Sequence, residues 1–179
     1  MRFVRQNLEG LWLLTPDRIE DERGSFTRTF CRREFEDHGL ETSFAQHSLS
    51  VSRLRHTIRG LHFQVAPDDE VKLVSCVRGE IFDVAVDLRP GSSTYLQWAG
   101  AILSETNGAQ FYIPKGFAHG FQSLCADVAV SYMISAPYAA ASARGLRYDD
   151  PALAIDWPAP PSVMSSRDRE WKLLAETAS

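Results

Sequence analysis

The chain has 179 residues, of which 44% are hydrophobic and 23% are charged, and its formal net charge is −4 at pH 7. This average composition excludes a fibrous or disordered chain, and the negative charge argues against a nucleic-acid-binding protein. No apolar run approaches the roughly 20 residues of a membrane-spanning helix, and the N-terminal segment lacks a signal peptide's apolar core and cleavage site. We therefore expect no membrane association, a cytoplasmic location and one domain over residues 1–179.

The three cysteines, Cys31, Cys76 and Cys125, are widely spaced and contain no C-x-x-C pair. An odd number without paired spacing indicates reduced thiols rather than a disulfide framework or a zinc site.

Short strands separated by turns are predicted for most of the chain between residues 42 and 135. A short helix precedes them at residues 32–38 and ends at Gly39. Residues 70–77 favour a strand with Lys72 and Val74 on one face. Residues 81–88 alternate clearly, because Phe82, Val84, Val86 and Leu88 share one face and Asp83, Ala85 and Asp87 share the other.

The last predicted strand covers residues 128–134 and places Tyr132 on its more apolar face. Residues 136–164 contain five of the nine prolines and predict an irregular segment, and residues 168–174 predict a second helix. The pattern as a whole predicts an all-β barrel with a few peripheral helices.

Two segments carry the most chemical information, namely RGLHFQ at residues 59–64 and PKGFAHG at residues 114–120. The second has the P-x-G-x-x-H form of a cupin barrel. Metal-binding cupins need an H-x-H pair and a carboxylate, whereas here His62 is followed by Gln64. Two histidines and an amide make a poor site for a catalytic divalent metal, so we expect no metal and no other cofactor.

These segments belong to a series of motifs that extends over nearly the whole chain. In order, the series comprises DERGSF at 21–26, RGLHFQ at 59–64, KLV at 72–74, DVAVDLR at 83–89, IPKGFAHGF at 113–121, Tyr132, Tyr138, DDP at 149–151, IDWP at 155–158 and SSRD at 165–168. With them the chain resembles the dTDP-4-dehydrorhamnose 3,5-epimerases. The resemblance implies a double-stranded β-helix, the cupin-like jelly-roll barrel.

Epimerisation beside a ketone requires a base, a proton donor on the opposite face and a group that stabilises the enolate oxygen. An imidazole oriented by a carboxylate suits the role of base, because it titrates near neutral pH. The resemblance implies His62 as the base with Asp168 as its partner, Tyr132 as the acid and Lys72 at the enolate oxygen.

The resemblance also implies a nucleotide-diphosphate sugar as substrate. Arg23 and Arg59 are expected to bind the pyrophosphate or nucleotide, since guanidinium groups bind phosphate oxygens in pairs. Gln46 and Tyr138 are expected to hold the nucleotide, with Tyr138 stacked on the base, while Phe26 and His119 line the pocket. In this family Phe26 and its neighbours reach the site from a second subunit, which implies a homodimer with exchanged strands.

Strict alternation along a strand places Arg59 and His62 on opposite faces. Both reach one pocket only if the strand bends or bulges, and Gly60 is the residue at which we expect this.

Each of these residues also has a structural explanation when it is taken alone. His62 could be an ordinary hydrogen-bonded histidine, Tyr132 a packing residue and Lys72 an exposed strand lysine. Asp168 lies three residues after Ser165, as in a capping box, so it could serve the start of a helix. Arg23 could be a turn residue and Tyr138 a surface aromatic.

Two positions depart from the family pattern, because Arg28 stands where an acid is usual and Ser48 where asparagine is frequent. The enzyme could therefore act at C3, at C5 or at both, and the nucleotide could differ from dTDP. A 3,4-ketoisomerase, a metal-dependent cupin enzyme and a non-catalytic sugar-nucleotide binder are the remaining alternatives.

Overall fold

Residues 1–177 are described by the computed structural model, and they form thirteen strands and three short helices. Ala178 and Ser179, which end the predicted domain, lie outside the described residues. The elements are β1 (Arg2–Arg5), β2 (Trp12–Thr15), β3 (Arg18–Asp21), β4 (Gly24–Thr27), α1 (Arg32–Asp37), β5 (Gln46–Ser52), β6 (Ile58–Gln64), β7 (Lys72–Arg78), β8 (Glu80–Asp87), β9 (Trp98–Ser104), β10 (Gln110–Ile113), β11 (Phe117–Ser123), β12 (Val128–Ile134), β13 (Ala143–Gly145), α2 (Ser166–Arg169) and α3 (Leu174–Thr177).

Two antiparallel sheets form the barrel. One has six strands in the order β1-β2-β10-β7-β12-β5, and the other has five in the order β13-β6-β11-β8-β9. Apart from β1–β2 and β8–β9, the strands that neighbour one another in these two sheets are not consecutive in the chain, as a jelly roll requires. The β3–β4 hairpin forms a separate two-stranded sheet. The all-β jelly-roll prediction is thus confirmed.

The main core lies between the two sheets. Phe111 from the six-stranded sheet and Phe121 from the five-stranded sheet are both buried there, with exposures of 0% and 1%. A second cluster around Phe35 covers the outer face of β2 and β10, and a third packs the segment after residue 145 onto β6, β8 and β11. Because both faces of the five-stranded sheet are covered, β8 is buried on its Val84 side and on its Ala85 side alike.

The C-terminal region differs from the sequence prediction. Instead of one helix over residues 168–174, two short helices, α2 and α3, flank an irregular stretch. Trp171 in this stretch packs so closely on Gly145 that a Cβ atom there would lie 2.2 Å from its ring. The backbone N–H of Leu174 bonds a carboxylate oxygen of Asp150 at 2.7 Å. Tertiary contacts therefore decide the conformation, and helical propensity does not. The predicted irregular segment 136–164 also contains a short strand, β13.

A bulge in β6 sits at Gly60, as the sequence predicted. Phe121 pairs with Arg59, and His119 pairs with His62. An advance of two residues along β11 therefore matches an advance of three residues along β6, so β6 contains one extra residue. Gly60 has φ +137°, and a Cβ atom there would lie 2.5 Å from the Cα of Gly120. Only glycine fits this combination of a positive φ and close approach, and the extra residue turns Arg59 and His62 toward the same cleft.

Within residues 1–177, no helix combines the length and the apolar character that crossing a bilayer requires.

Candidate active site

A cleft of about 1210 Å³ opens between the ends of the two sheets. It is walled by side chains from β5, β6, β7, β11 and β12 and from residues 163–168. A smaller pocket of about 230 Å³ adjoins it and shares His62, Lys72, Ile134 and Arg167 with it. The main cleft contains six of the predicted site residues, namely Arg59, His62, Lys72, His119, Tyr132 and Asp168, and the smaller pocket contains Gln46 and Tyr138.

His62 and Asp168 form a histidine–carboxylate pair at the centre of the cleft. Nε2 of His62 lies 2.7 Å from Oδ1 of Asp168. Asp168 is buried, whereas the His62 side chain keeps 46% of its surface exposed, so a ligand in the cleft can reach the imidazole. Burial alone would raise the pKa of Asp168, but the His62 hydrogen bond and charge, with the Gly60 N–H, hold it below its usual value. The carboxylate is therefore ionised at neutral pH.

The same acid takes part in the start of α2. Its backbone N–H donates to Oγ of Ser165 at 3.1 Å, so Ser165 is the N-cap residue. The Asp168 carboxylate bonds His62, and a hydrogen bond with the Ser165 side chain also helps to lower its pKa. The helix start thus fixes the backbone from which the acid projects, and the two explanations of Asp168 hold together.

Tyr132 enters the cleft from β12. Its hydroxyl lies 3.0 Å from Oγ of Ser50, and its ring centroid lies 6.1 Å from that of His119. Burial raises the pKa of the Tyr132 phenol well above its usual value, and the Ser50 hydrogen bond opposes this only in part. The phenol is therefore protonated at neutral pH and has a proton to give.

Lys72 begins β7 and points inward, with only 12% of its side chain exposed. Its Nζ donates to the carbonyl oxygen of His62 at 3.2 Å and forms an ion pair of 2.9 Å with Oε1 of Glu70. This placement excludes the explanation of Lys72 as an exposed strand lysine.

His119 is held in a second histidine–carboxylate pair, because its Nε2 lies 2.8 Å from Oδ1 of Asp83. Asp83 is fully buried, and this burial raises its pKa while His119 opposes the shift. Asp83 was not predicted as a site residue. The sequence did contain an indication, because Asp83 lies in the middle of the predicted strand 81–88. An acid that is buried in a strand needs a partner.

Three arginines line the cleft, namely Arg53, Arg59 and Arg167. Arg59 is fixed by bonds from Nη2 to the carbonyl oxygen of Val51 at 2.8 Å and from Nε to Oγ of Ser52 at 3.1 Å. Arg167 borders both pockets and lies 5.1 Å from the ring centroid of Trp171. Arg167 was not predicted as a site residue, although it directly precedes Asp168 and so projects from the same helix start.

The smaller pocket joins Gln46 to Tyr138, whose backbone N–H donates to the Gln46 side-chain oxygen at 2.9 Å. The Tyr138 ring is 61% exposed and offers an open aromatic face. The Gln64 amide is occupied by loop backbone, since it donates to Asp68 and Pro137 and accepts from Ala139. Across residues 1–177, no group of three His, Cys, Asp or Glu side chains is close enough to hold a metal ion.

Two predicted residues, Arg23 and Phe26, do not reach the cleft of their own chain. Both lie on the β3–β4 hairpin, where the Arg23 side chain is 85% exposed and pairs with Asp21 at 2.6 Å, and Phe26 is 66% exposed. Their expected delivery from a second subunit stays a prediction. Of the two departures from the family pattern, Ser48 lines the main cleft, and Arg28 lies beside Glu34 at 4.0 Å.

Comparison with known proteins identifies the family of the chain. The family model described as dTDP-4-dehydrorhamnose 3,5-epimerase matches residues 5–176. A dTDP-4-dehydrorhamnose 3,5-epimerase from Sinorhizobium fredii is 44% identical over 98% of this chain and 91% of its own length. A dTDP-4-dehydrorhamnose 3-epimerase from Streptomyces niveus is 40% identical over 98% of this chain and 85% of its own.

A solved structure from Legionella pneumophila, a dTDP-6-deoxy-D-glucose-3,5-epimerase in complex with dTDP-4-keto-L-rhamnose, superimposes with a TM-score of 0.92. Its sequence identity is 41%, and the match covers 97% of this chain and 93% of that chain. The chain therefore belongs to the dTDP-4-dehydrorhamnose 3,5-epimerase family and is an epimerase.

Proposed function

We propose that the chain inverts C3 and C5 of a nucleotide-linked 4-keto-6-deoxy sugar, converting dTDP-4-dehydro-6-deoxy-D-glucose to dTDP-4-dehydro-L-rhamnose. The observation that carries the proposal is the His62–Asp168 pair at 2.7 Å in a cleft that Tyr132 and Lys72 also line. The substrates named for the Sinorhizobium fredii and Legionella pneumophila relatives support the choice of sugar.

Proton abstraction begins the proposed reaction. A hydrogen on a carbon beside a ketone is acidic because the resulting carbanion delocalises onto oxygen. Since Nε2 of His62 faces Asp168, Nδ1 is the nitrogen left to take this proton. The ionised carboxylate then stabilises the imidazolium that forms, as general base catalysis requires.

Negative charge gathers on the ketone oxygen as the proton leaves. The Lys72 ammonium, held at the cleft wall by the His62 carbonyl and by Glu70, is the cation available to stabilise it. A preorganised group of this kind contributes about 3 to 4 kcal/mol to lowering the barrier. Tyr132 then returns a proton to the opposite face of the carbon, which inverts the centre.

Residues that line the two pockets bind the nucleotide in the proposed complex. The fixed guanidinium of Arg59 suits a phosphate oxygen pair, and the exposed ring of Tyr138 beside Gln46 suits a nucleobase. His119, held by Asp83, lines the sugar end of the cleft next to Tyr132.

We further propose that the enzyme works as a homodimer in which each β3–β4 hairpin completes the other subunit's site. Ile19 and Phe26, paired across the hairpin, are 65% and 66% exposed. Neighbouring exposed apolar side chains favour an interface. Arg23 at the tip of the same hairpin would bring a further cation to the substrate phosphates.

Isotope exchange with solvent tests the proposed reaction. We expect incubation with dTDP-4-keto-6-deoxyglucose in heavy water to place deuterium at C3 and at C5, as followed by proton NMR. A sugar-nucleotide binder without catalytic function would leave both carbons unlabelled.

A 3-epimerase is the second candidate, because the Streptomyces niveus relative at 40% identity carries that name. It predicts label at C3 alone. A 3,4-ketoisomerase would instead give a product whose ketone carbon has moved, which carbon NMR of the same sample detects.

A further inference from the structure

Glu70 is a buried acid beside the site, and no step of the proposed reaction brings it into contact with the substrate. Only 6% of its side chain is exposed, and it lines the smaller pocket with Lys72 and His62. Among residues 1–177, its Oε2 atom is buried without a hydrogen-bond partner, and its ion-pair partner is Lys72. Burying a carboxylate is costly, so an acid with one charged partner and one unsatisfied oxygen points to a function of the pair.

Within the part of the chain that the structure describes, Asp83 also has a buried oxygen without a hydrogen-bond partner, Oδ2, but the other two buried acids of the site each pair with a histidine. Asp168 pairs with one histidine at 2.7 Å, and Asp83 pairs with another at 2.8 Å. Glu70 is therefore the acid within contact distance of the Lys72 ammonium. A buried ammonium that loses its counter-charge either gives up its proton or moves toward water, and in both cases the cleft loses a fixed cation.

We infer that Glu70 is a positioning residue for the epimerisation, holding the Lys72 ammonium in place against the cleft. The inference rests on the proposed function of Lys72 at the enolate oxygen. Lysine has a flexible four-carbon side chain, so two contacts, the Glu70 carboxylate and the His62 carbonyl, set where its charge lies. Glu70 itself does not need to touch the substrate.

Steady-state kinetics of Glu70→Gln test this inference, because glutamine keeps the shape of the side chain and removes its charge. We expect kcat to fall about 10-fold or more with KM within about twofold, since the cation matters as charge develops in the transition state. Glu70→Asp keeps the charge and shortens the side chain, and it should recover part of the lost kcat. A packing role predicts the reverse order of the two variants and would overturn the inference.

Asp69→Asn is the matched control. It removes one negative charge from the adjacent position, where the acid pairs with Lys115 at 3.5 Å outside the cleft. Its kcat should equal that of the wild type, and an equal fall in this variant would attribute the effect to net charge and overturn the inference.

A double-mutant cycle with Lys72→Met separates the two proposals. Adding Glu70→Gln to Lys72→Met should cause no further fall in rate, because the acid acts through the lysine. The double variant also leaves no unpaired buried charge, so it folds even if Glu70→Gln does not. A further fall of the same size as in the wild-type background would overturn the inference for Glu70 alone. A Lys72→Met enzyme with wild-type kcat would overturn the function of Lys72 and the inference with it.

Discussion

Single side chains in this cleft have their protonation states set by burial and by their partners. Asp168 is buried and yet ionised, because His62 and the Gly60 N–H compensate the loss of water. Tyr132 is protonated because burial disfavours phenolate. An ionised acid bonded to the base and a protonated phenol in the same cleft are the states that proton abstraction and return require.

Asp168→Asn should lower the rate of solvent exchange about 10²- to 10⁴-fold, because the amide cannot stabilise the imidazolium of His62. Exchange is measured by NMR in heavy water. Ser165→Ala is the control, since it removes the cap of α2 and leaves the carboxylate in place. It should cost about 1 kcal/mol in the free energy of unfolding, with far less effect on exchange. Equal losses of exchange in the two variants would show that the acid serves only to start the helix.

Tyr132→Phe should impair return of the proton more than its removal, because the hydroxyl is the group lost. We expect the substrate to exchange deuterium while inverted product forms more slowly, as measured by the ratio of product formation to label uptake. The control is Ser50→Ala, which removes the hydrogen-bond partner of the phenol and keeps the phenol itself. An unchanged ratio in Tyr132→Phe would contradict the assignment of Tyr132 as the acid.

The residues of the site were only partly predictable from the sequence. His62, Lys72, Tyr132 and Asp168 were identified by resemblance, and the structure brings them to one cleft. Periodicity alone could not do this, because His62 and Asp168 are 106 positions apart and meet through tertiary packing. Glu70 was missed for a related reason, since the burial of its side chain and its ion pair with Lys72 are visible only in three dimensions.

At the scale of elements, the bulge in β6 determines whether the site forms. A regular strand would send Arg59 and His62 to opposite faces, and the extra residue at Gly60 corrects this. The bulge could be predicted from the sequence because Arg59 and His62 are expected in one site, whereas their spacing in a regular strand places them on opposite faces. The sequence also predicted the strands at 81–88 and 128–134 well, since long alternating runs are the strongest signal. The hairpin β3–β4 gave no such signal because all eight of its residues are at least partly exposed.

Gly60→Ala should destabilise the fold by about 3 kcal/mol or more, because it combines a disfavoured φ with a collision against Gly120. Gly91→Ala is the matched control, since Gly91 has φ +81° with open space around its Cα. It should cost about 1 kcal/mol in the free energy of unfolding measured with urea. Similar costs at both positions would show that close approach of β6 and β11 is unimportant.

At the scale of the whole molecule, our proposal is that two chains together complete the site. Arg23 and Phe26 are exposed on the β3–β4 hairpin and do not line the cleft of their own chain. These residues were predicted through resemblance alone, because exposed side chains such as these leave no pattern of burial in the sequence.

Hybrid dimers test this exchange of residues between subunits. His62→Asn and Arg23→Ala enzymes should each be nearly inactive, yet mixing them after reversible unfolding should restore about one quarter of the wild-type activity. Half of the dimers would then be hybrids with one intact site each. Activity is measured as solvent exchange, and each variant refolded alone is the control. Recovery no greater than the sum of the separate variants would contradict a site shared between subunits.

The most direct test of the central claim is deuterium uptake by the His62→Asn variant, with dTDP affinity measured by calorimetry on the same preparation. The claim is that one imidazole, held by Asp168, removes the protons beside the ketone. It predicts uptake at C3 and C5 by the wild type, none above background by the variant, and a dissociation constant for dTDP within about threefold of the wild-type value. Uptake at the wild-type rate in His62→Asn would contradict it.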